Sequence, residues 1–217
     1  ENALVAVRDQ SQWYVADSLH QARELAGKVQ GRRSSLEPRP PLELPEGDWA
    51  LTLRTCWVEP AYLETDASWC NPQDEPADPV ANGGAVGGKI ASEVTDVARE
   101  LALANDRVVR VLWSREDTVR HGPKRPPVSA GLRADGSGIF RLARTDHIDE
   151  RIRPLLPKCE IEQVTIPGPP TSSAIRGAGW AEVEMLRAGL SGQAGWVTAP
   201  SGASAKATIA NELISVE

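Results

Sequence analysis

The sequence predicts an α+β fold, with mixed α/β layers and antiparallel meander strands packed against helices. A helical pattern at 90–104 precedes a strongly apolar strand at 108–113, an order typical of a βαβ-like layer. Three later segments, 128–133, 139–144 and 160–166, have the composition of meander strands. The 217 residues are 41% hydrophobic, which is enough for a buried core.

The N-terminal segment predicts a hairpin followed by a helix. Residues 3–7 and 13–16 have strand character, and the segment 18–21 (SLHQ) has the pattern of a helix cap. The next stretch, 31–47, holds four prolines and mixed charge, which is typical of a linker. We therefore predict a small α/β segment at 1–30, a Pro-rich linker at 31–47 and an α+β domain at 48–217.

Two further strands are predicted at the start of this domain, at 49–57 and 62–69. A proline-broken loop, 71–79, follows them and cannot form a central strand.

The glycine-rich segment 82–89 (NGGAVGGK) is the strongest motif in the chain. Glycine adopts positive φ at little cost and lets a ligand approach the backbone, and a helix start favours an anion. An apolar stripe follows at once, formed by Ile90, Val94, Val97 and Leu101. The segment therefore predicts an anion-binding turn at the start of a helix. The alternatives are close packing of a helix on a strand, or a nucleotide P-loop, which Ile90 contradicts because a hydroxyl belongs at that position.

A second turn of this kind lies at 176–180 (RGAGW). It also opens an apolar-periodic segment, formed by Trp180, Val183, Leu186 and Leu190. We expect the two turns to lie close together and to bind an anion weakly, with Lys89 and Arg176 adding positive charge. A basic stretch at 115–125 is either part of this phosphate site or a solvated loop.

The order of four motifs resembles a known family. The segments 58–66 (VEPAYLETD), 83–89 (GGAVGGK), 111–117 (VLWSRED) and 176–179 (RGAG) together resemble the molybdopterin-binding subunit of the xanthine dehydrogenase and aldehyde oxidase family. The resemblance covers about residues 48–182, and residues 1–30 are similar to the end of the preceding family domain.

This resemblance implies that both turns lie near one molybdenum–molybdopterin centre. The partners that it implies are other domains or subunits of a molybdenum hydroxylase, including iron–sulfur and flavin chains. The implied cofactor-binding residues are those of the two turns: Gly83, Gly84, Ala85, Val86, Gly87, Gly88, Lys89, Arg176, Gly177, Ala178 and Gly179.

The sequence also departs from the family pattern. The strand whose glutamine contacts the oxo ligand of the metal is missing before Gly83. The phenylalanines that hold aromatic substrates are replaced by Val86 and Ala178, and Ile90 replaces the acidic residue of purine oxidisers. The glutamate that acts as general base in the family lies in a region beyond Glu217. We therefore expect the isolated chain to be inactive and to lack the cofactor, and we leave its catalytic residues unassigned.

The overall charge limits the partners. A net charge of −6 and a pI near 5.2 argue against nucleic acid and anionic membranes. The three cysteines are widely spaced, which indicates reduced thiols and no cluster of metal ligands. Because no signal-peptide pattern is present either, we expect a cytoplasmic protein. The chain begins without methionine, so we expect an excised or processed piece. A homo-oligomer is a further possible partner state.

Three classes of function remain open. The first is a fragment of a molybdopterin-dependent oxidoreductase that hydroxylates an aldehyde or heteroaromatic carbon with water. The second is a non-catalytic scaffold or interaction domain derived from that family. The third is an unrelated phosphometabolite-binding protein that uses the same turns.

Overall fold

The chain is divided into two units by its internal contacts. In the computed structural model, the described residues are 3–28, 39–192, 195–198, 204–210 and 213–216. One unit combines the described residues up to 28 with Glu59–Pro123, and the other combines residues 39–58 with the described part of 124–216. The predicted boundaries at 1–30, 31–47 and 48–217 follow a different division and stay a prediction.

The first unit is built on a four-stranded sheet. Strands β1 (Leu4–Asp9) and β2 (Gln12–Ala16) form the predicted antiparallel hairpin. Strand β1 also pairs in parallel with β5 (Val109–Leu112), whose other neighbour is the antiparallel β4 (Ala67–Cys70). The sheet order is therefore β2-β1-β5-β4. The predicted strand at 62–69 is wrong in its first half, where the Tyr62 N–H donates to the Pro60 carbonyl and the Tyr62 carbonyl accepts from Arg115 Nη1; β4 begins only at Ala67.

The described part of this unit contains three α-helices and two short 3-10 helices, Pro79–Asn82 and Ala85–Gly87. Helix α1 (Leu19–Leu25) begins as predicted, since the Ser18 hydroxyl accepts the Gln21 backbone N–H. Helix α2 is Val94–Asn105, and α3 (Arg115–His121) begins with a capping box. The main core lies between α2 and the sheet and contains Leu4, Ala6, Cys70, Val94, Ala98, Ala102, Val109, Val111 and Trp113.

The second unit contains another four-stranded sheet, of order β3-β6-β7-β8. Its strands are β3 (Leu51–Arg54), β6 (Val128–Leu132), β7 (Gly138–Ala143) and β8 (Cys159–Val164). The first three pair antiparallel, but β7 and β8 pair in parallel, so β8 does not extend the meander as predicted. The physical reason is the crossover between them, which contains helix α4 (Ile148–Ile152).

Helix α5 (Trp180–Ser191) and three C-terminal strands complete this unit. Strands β9 (Gly195–Thr198), β10 (Ser204–Ala210) and β11 (Leu213–Val216) form an antiparallel sheet of order β11-β10-β9. The core of the unit joins apolar residues of β6, β7, α4 and α5, including Phe140, Leu142, Ile152, Val183 and Leu186.

These sheets combine parallel and antiparallel pairs with packed helices, which confirms the predicted α+β class. Within the described ranges, every helix is too short or too polar to cross a bilayer.

Candidate functional site

The first glycine turn exposes its backbone. Gly83 and Gly84 have φ values of +72° and +78°, and Val86 is also in the left-handed region at +42°. The turn is held at Ala85, whose N–H donates to the Ala61 carbonyl at 3.0 Å. A Cβ at Gly83 would meet no atom within 4 Å, so this part of the turn is open to a ligand.

This turn does not open the predicted α-helix, which is a correction, because only a short 3-10 helix, Ala85–Gly87, follows Gly84. Helix α2 begins only at Val94, and Ile90, which was expected on its apolar stripe, is 66% exposed. The Ser92 hydroxyl donates to the buried Asp66 carboxylate, which holds the intervening residues in turns. The unpaired N–H groups at the start of α2 therefore belong to a later segment than Gly83 and Gly84.

Lys89 faces into the turn and away from solvent. Its side chain is buried, with 2% of the residue exposed, and Nζ donates to the Gly83 carbonyl at 2.6 Å. The ammonium group thus stabilises the conformation of the turn. That Lys89 adds its charge to an anion site stays a prediction.

Gly88 permits close packing on Tyr62. A Cβ at Gly88 would lie 2.8 Å from the Tyr62 hydroxyl and 3.0 Å from Pro60 Cγ. Burial is the main cause that raises the pKa of Tyr62, and the charges of Asp66 and Glu59 add to it. The two halves of the turn therefore use glycine differently. The space beside Gly83 is empty, whereas the space beside Gly88 is occupied by Tyr62 and Pro60.

The second glycine turn opens a helix, as predicted. Gly177 and Gly179 have φ values of +79° and +72°, and α5 begins at the next residue. A Cβ at Gly179 would lie 2.9 Å from Ile152 Cγ1, so this glycine is required for packing on α4. Ala178 is buried, whereas Arg176 is exposed.

A buried ion pair lies at this turn. The Glu182 side chain, 0% exposed, accepts a hydrogen bond from Arg125 Nη2 at 2.5 Å. Burial raises the pKa of Glu182, while Arg125 and the backbone N–H groups of Glu182 and Gly179 favour the ionised form. Arg125 also lies under the turn, because a Cβ at Gly177 would be 3.4 Å from its Nη1.

No motif in the sequence predicted this pair. Glu182 follows the N-cap Gly179 by three residues, the position at which a glutamate reaches back toward the helix start. That spacing could have predicted that Glu182 lies near the start of the helix. Arg125 had been expected either in a phosphate site or in a solvated loop, but it is half-buried and paired with a carboxylate of its own chain.

The remaining titratable groups of the described ranges are not clustered as metal ligands. Among the described residues, no group of three or more His, Cys, Asp or Glu side chains could hold a metal ion. The three cysteines are free, and burial raises the pKa of the Cys70 and Cys159 thiols.

The structure places the two turns in different units. Residues 83–89 belong to the first unit and residues 176–179 belong to the second. Their expected position around one common site stays a prediction, as does each cofactor-binding role assigned to them.

Sequence comparison finds neither a matching protein-family model nor a matching curated protein. Among solved structures, the chain is similar to the aldehyde oxidoreductase from Desulfovibrio desulfuricans ATCC 27774, with 14% identity and a TM-score of 0.50. The match covers 81% of this chain and 29% of that chain.

Two other structures are similar to a lesser degree. The aldehyde oxidoreductase from Desulfovibrio gigas has 16% identity and a TM-score of 0.43, covering 82% of this chain and 30% of that chain. The quinoline 2-oxidoreductase from Pseudomonas putida 86 has 14% identity and a TM-score of 0.45, covering 81% and 34%. The chain thus spans about a third or less of the length of each enzyme.

The enzyme from Desulfovibrio desulfuricans is a member of the xanthine oxidase family, and it shares its fold with this chain over most of the chain's length. The resemblance predicted from the four sequence motifs is therefore confirmed at the level of the fold.

Proposed function

We propose that this chain is part of a molybdopterin-dependent oxidoreductase, one that hydroxylates an aldehyde or heteroaromatic carbon with water. The observation that carries the proposal is the exposed turn at Gly83 and Gly84 within a fold similar to part of an aldehyde oxidoreductase. Such enzymes are expected to work with iron–sulfur and flavin chains. Because the chain spans only a fraction of the similar enzyme, activity is expected to require further segments.

The residues of the two turns fit the cofactor only in part. The bare backbone at Gly83 suits the close approach of a flat, polar group, whereas a Cβ at Gly84 would lie 3.2 Å from the Leu63 backbone nitrogen. Of the two charged groups expected to hold its phosphate, Lys89 donates to the Gly83 carbonyl, whereas Arg176 is exposed. We therefore derive no catalytic step through the cofactor from these residues.

The second candidate is a scaffold or interaction domain derived from the same family. It is favoured by large apolar side chains that are exposed in the first unit, among them Leu63, Trp69 and Ile90. Such side chains suit contact with neighbouring domains or with a second copy of the chain. Both candidates share the fold and differ in whether a cofactor is ever bound.

A metal analysis distinguishes these candidates. The chain is produced alone and within its complete encoded polypeptide, and molybdenum per protein is measured together with dye reduction by benzaldehyde and quinoline. We expect no molybdenum in the isolated chain and about one atom in the complete protein. A complete protein without molybdenum favours the scaffold, and an isolated chain with stoichiometric molybdenum and turnover contradicts the proposal that further segments are needed.

Two glycine variants test the role of the first turn in the complete protein. Gly83→Ala places a methyl group in the open face of the turn, so we expect less bound molybdenum. Gly136→Ala is the matched control, because Gly136 also has a positive φ of +79° and open space, but lies in the turn between β6 and β7. Equal molybdenum contents in the two variants would exclude a role for Gly83 in binding the cofactor.

A further inference from the structure

One face of the first sheet is covered by helix α1 on one side only. Val7 of β1 packs there against Ala22 and Ala26 of α1, together with side chains of β2. The opposite face of the sheet packs against α2 and forms the main core of the unit. Helix α1 thus covers the β1 and β2 side of its face, and the β5 and β4 side has room for a further packed element.

The strand registers place Arg110 and Trp69 on this side. Val7 pairs with Leu112 of β5, so these two side chains share the α1 face. Arg110 lies two residues before Leu112 and therefore points to the same face. Trp69 of β4 pairs with Arg110 and shares that face as well. Trp69 is 54% exposed and Arg110 is also exposed, so this side of the face is open to solvent.

A tryptophan beside an arginine restricts what can cover this surface. The large ring of Trp69 is removed from water only by an apolar side chain packed against it. The described residues give Arg110 no ion-pair partner, so an element that covers the guanidinium must bring a carboxylate, or the charge is buried alone. The surface therefore fits an apolar side chain next to an acidic one.

Helix α1 of a second copy presents this combination. Leu25 is 60% exposed, and the neighbouring Glu24 is exposed as well, as is its ion pair with His20. Both belong to the helix that covers the other side of the same sheet face. A two-fold axis parallel to the strands lays α1 of each copy over the β5 and β4 side of the other. Each complementary contact then occurs twice.

We propose that the chain forms a symmetric dimer in which Leu25 and Glu24 of one copy contact Trp69 and Arg110 of the other. The proposal concerns the first unit alone and does not depend on whether a cofactor is bound. Only a few large side chains take part on each side, so the dissociation constant is expected in the micromolar range.

Sedimentation equilibrium of the full chain, from about 1 to about 500 µM, tests the dimer. The average mass should rise with concentration from 23.4 kDa toward twice that value. Leu25→Ser should raise the dissociation constant about tenfold or more, because a two-fold interface loses the contact twice. Leu103→Ser is the matched control, since Leu103 is 59% exposed and lies on α2, which packs on the opposite face. It should change the constant by no more than about twofold.

A charge exchange tests the pairing itself. Arg110→Glu brings like charges together and should weaken the dimer about tenfold, and Glu24→Arg should do the same. The double variant Glu24→Arg, Arg110→Glu restores opposite charges and should return the constant to within about threefold of the wild type. Arg99→Glu, an exposed substitution on α2, is the control for the change in net charge.

Circular dichroism checks the fold of each variant, and Arg110→Gln replaces Arg110→Glu if the latter is unfolded. The proposal is overturned if the wild type stays monomeric over the whole concentration range. It is also overturned if the chain associates but Leu25→Ser and the single charge variants behave like their controls. A double variant as weak as either single charge variant would exclude the pairing of Glu24 with Arg110.

Discussion

The turn at residues 83–88 and the turn at residues 176–179 both contain closely spaced glycines at positive φ, but they present different surfaces. At the first turn, Gly83 is exposed and a Cβ there would meet nothing within 4 Å. At the second, a Cβ on Gly179 would collide with Ile152, and a buried carboxylate lies within the first turn of the helix.

The difference shows that a glycine pattern specifies a backbone conformation. Whether that backbone is exposed to a ligand or packed against another element depends on the neighbouring residues. Both turns contain glycines at positive φ, a conformation that other residues adopt only with strain. What decides between a ligand surface and a packing contact is the neighbouring element. The second turn lies against α4, whereas the outer part of the first turn, at Gly83, has no neighbouring atom where its side chain would be.

The largest expected effect compares one glycine from each turn. Both substitutions to alanine place a side chain at positive φ, which costs about 1–3 kcal/mol. Gly179→Ala also forces a methyl group against Ile152, which adds about 1–3 kcal/mol through overpacking. We expect a larger loss of unfolding free energy for Gly179→Ala than for Gly83→Ala, measured by urea denaturation. Equal losses would mean that the two turns are packed alike.

A second prediction concerns the buried ammonium group of the first turn. Lys89→Met removes the donor to the Gly83 carbonyl and should lower the unfolding free energy by about 1–3 kcal/mol. Lys158→Met is the matched control, because Lys158 also donates to a backbone carbonyl, that of Asp135, but is exposed. Its loss should stay within about 0.5 kcal/mol.

Both variants are compared by urea denaturation and by phosphate titration. If the Lys89 ammonium group only stabilises the turn through its hydrogen bond to Gly83, Lys89→Met should leave the phosphate affinity of the chain unchanged. A clear loss of phosphate affinity, with little loss of stability, would show instead that the ammonium group reaches a ligand.

Local patterns predicted the local structure well. Alternating apolar residues gave the β1–β2 hairpin, and the hydroxyl of Ser18 correctly marked the start of α1. The strands of the second sheet were also placed to within a few residues, because each is a short apolar run between turns.

Long-range pairings could not be predicted in the same way. The parallel pairing of β1 with β5 joins segments about a hundred residues apart, and no periodicity within either strand indicates its partner. The pairing of Glu182 with Arg125 could not be predicted for the same reason, since the two residues are 57 positions apart in sequence.

The start of α2 was misplaced for a different reason. Ile90 has the correct spacing for the apolar stripe, but the hydrogen bond from Ser92 to Asp66 holds this segment outside the helix. A contact with a distant buried carboxylate thus outweighed a local helical pattern. The same limit applies to Lys89, whose burial depends on how the turn folds around it.

The smallest expected effect concerns Arg176, the exposed cation of the second turn. Arg176 is a surface charge, and one such charge contributes only about 0.3–1 kcal/mol to binding an anion. Arg176→Ala should therefore weaken the millimolar binding of phosphate by less than about fivefold, and it should change stability by no more than about 0.5 kcal/mol.

Arg153→Ala provides the comparison, because Arg153 is an exposed arginine of the same unit and lies at the end of α4. Phosphate titrations followed by ³¹P NMR should give similar affinities for the two variants. A much larger loss for Arg176→Ala would show that the second turn binds phosphate through this side chain. In that case the prediction that the second turn takes part in binding an anion would be supported.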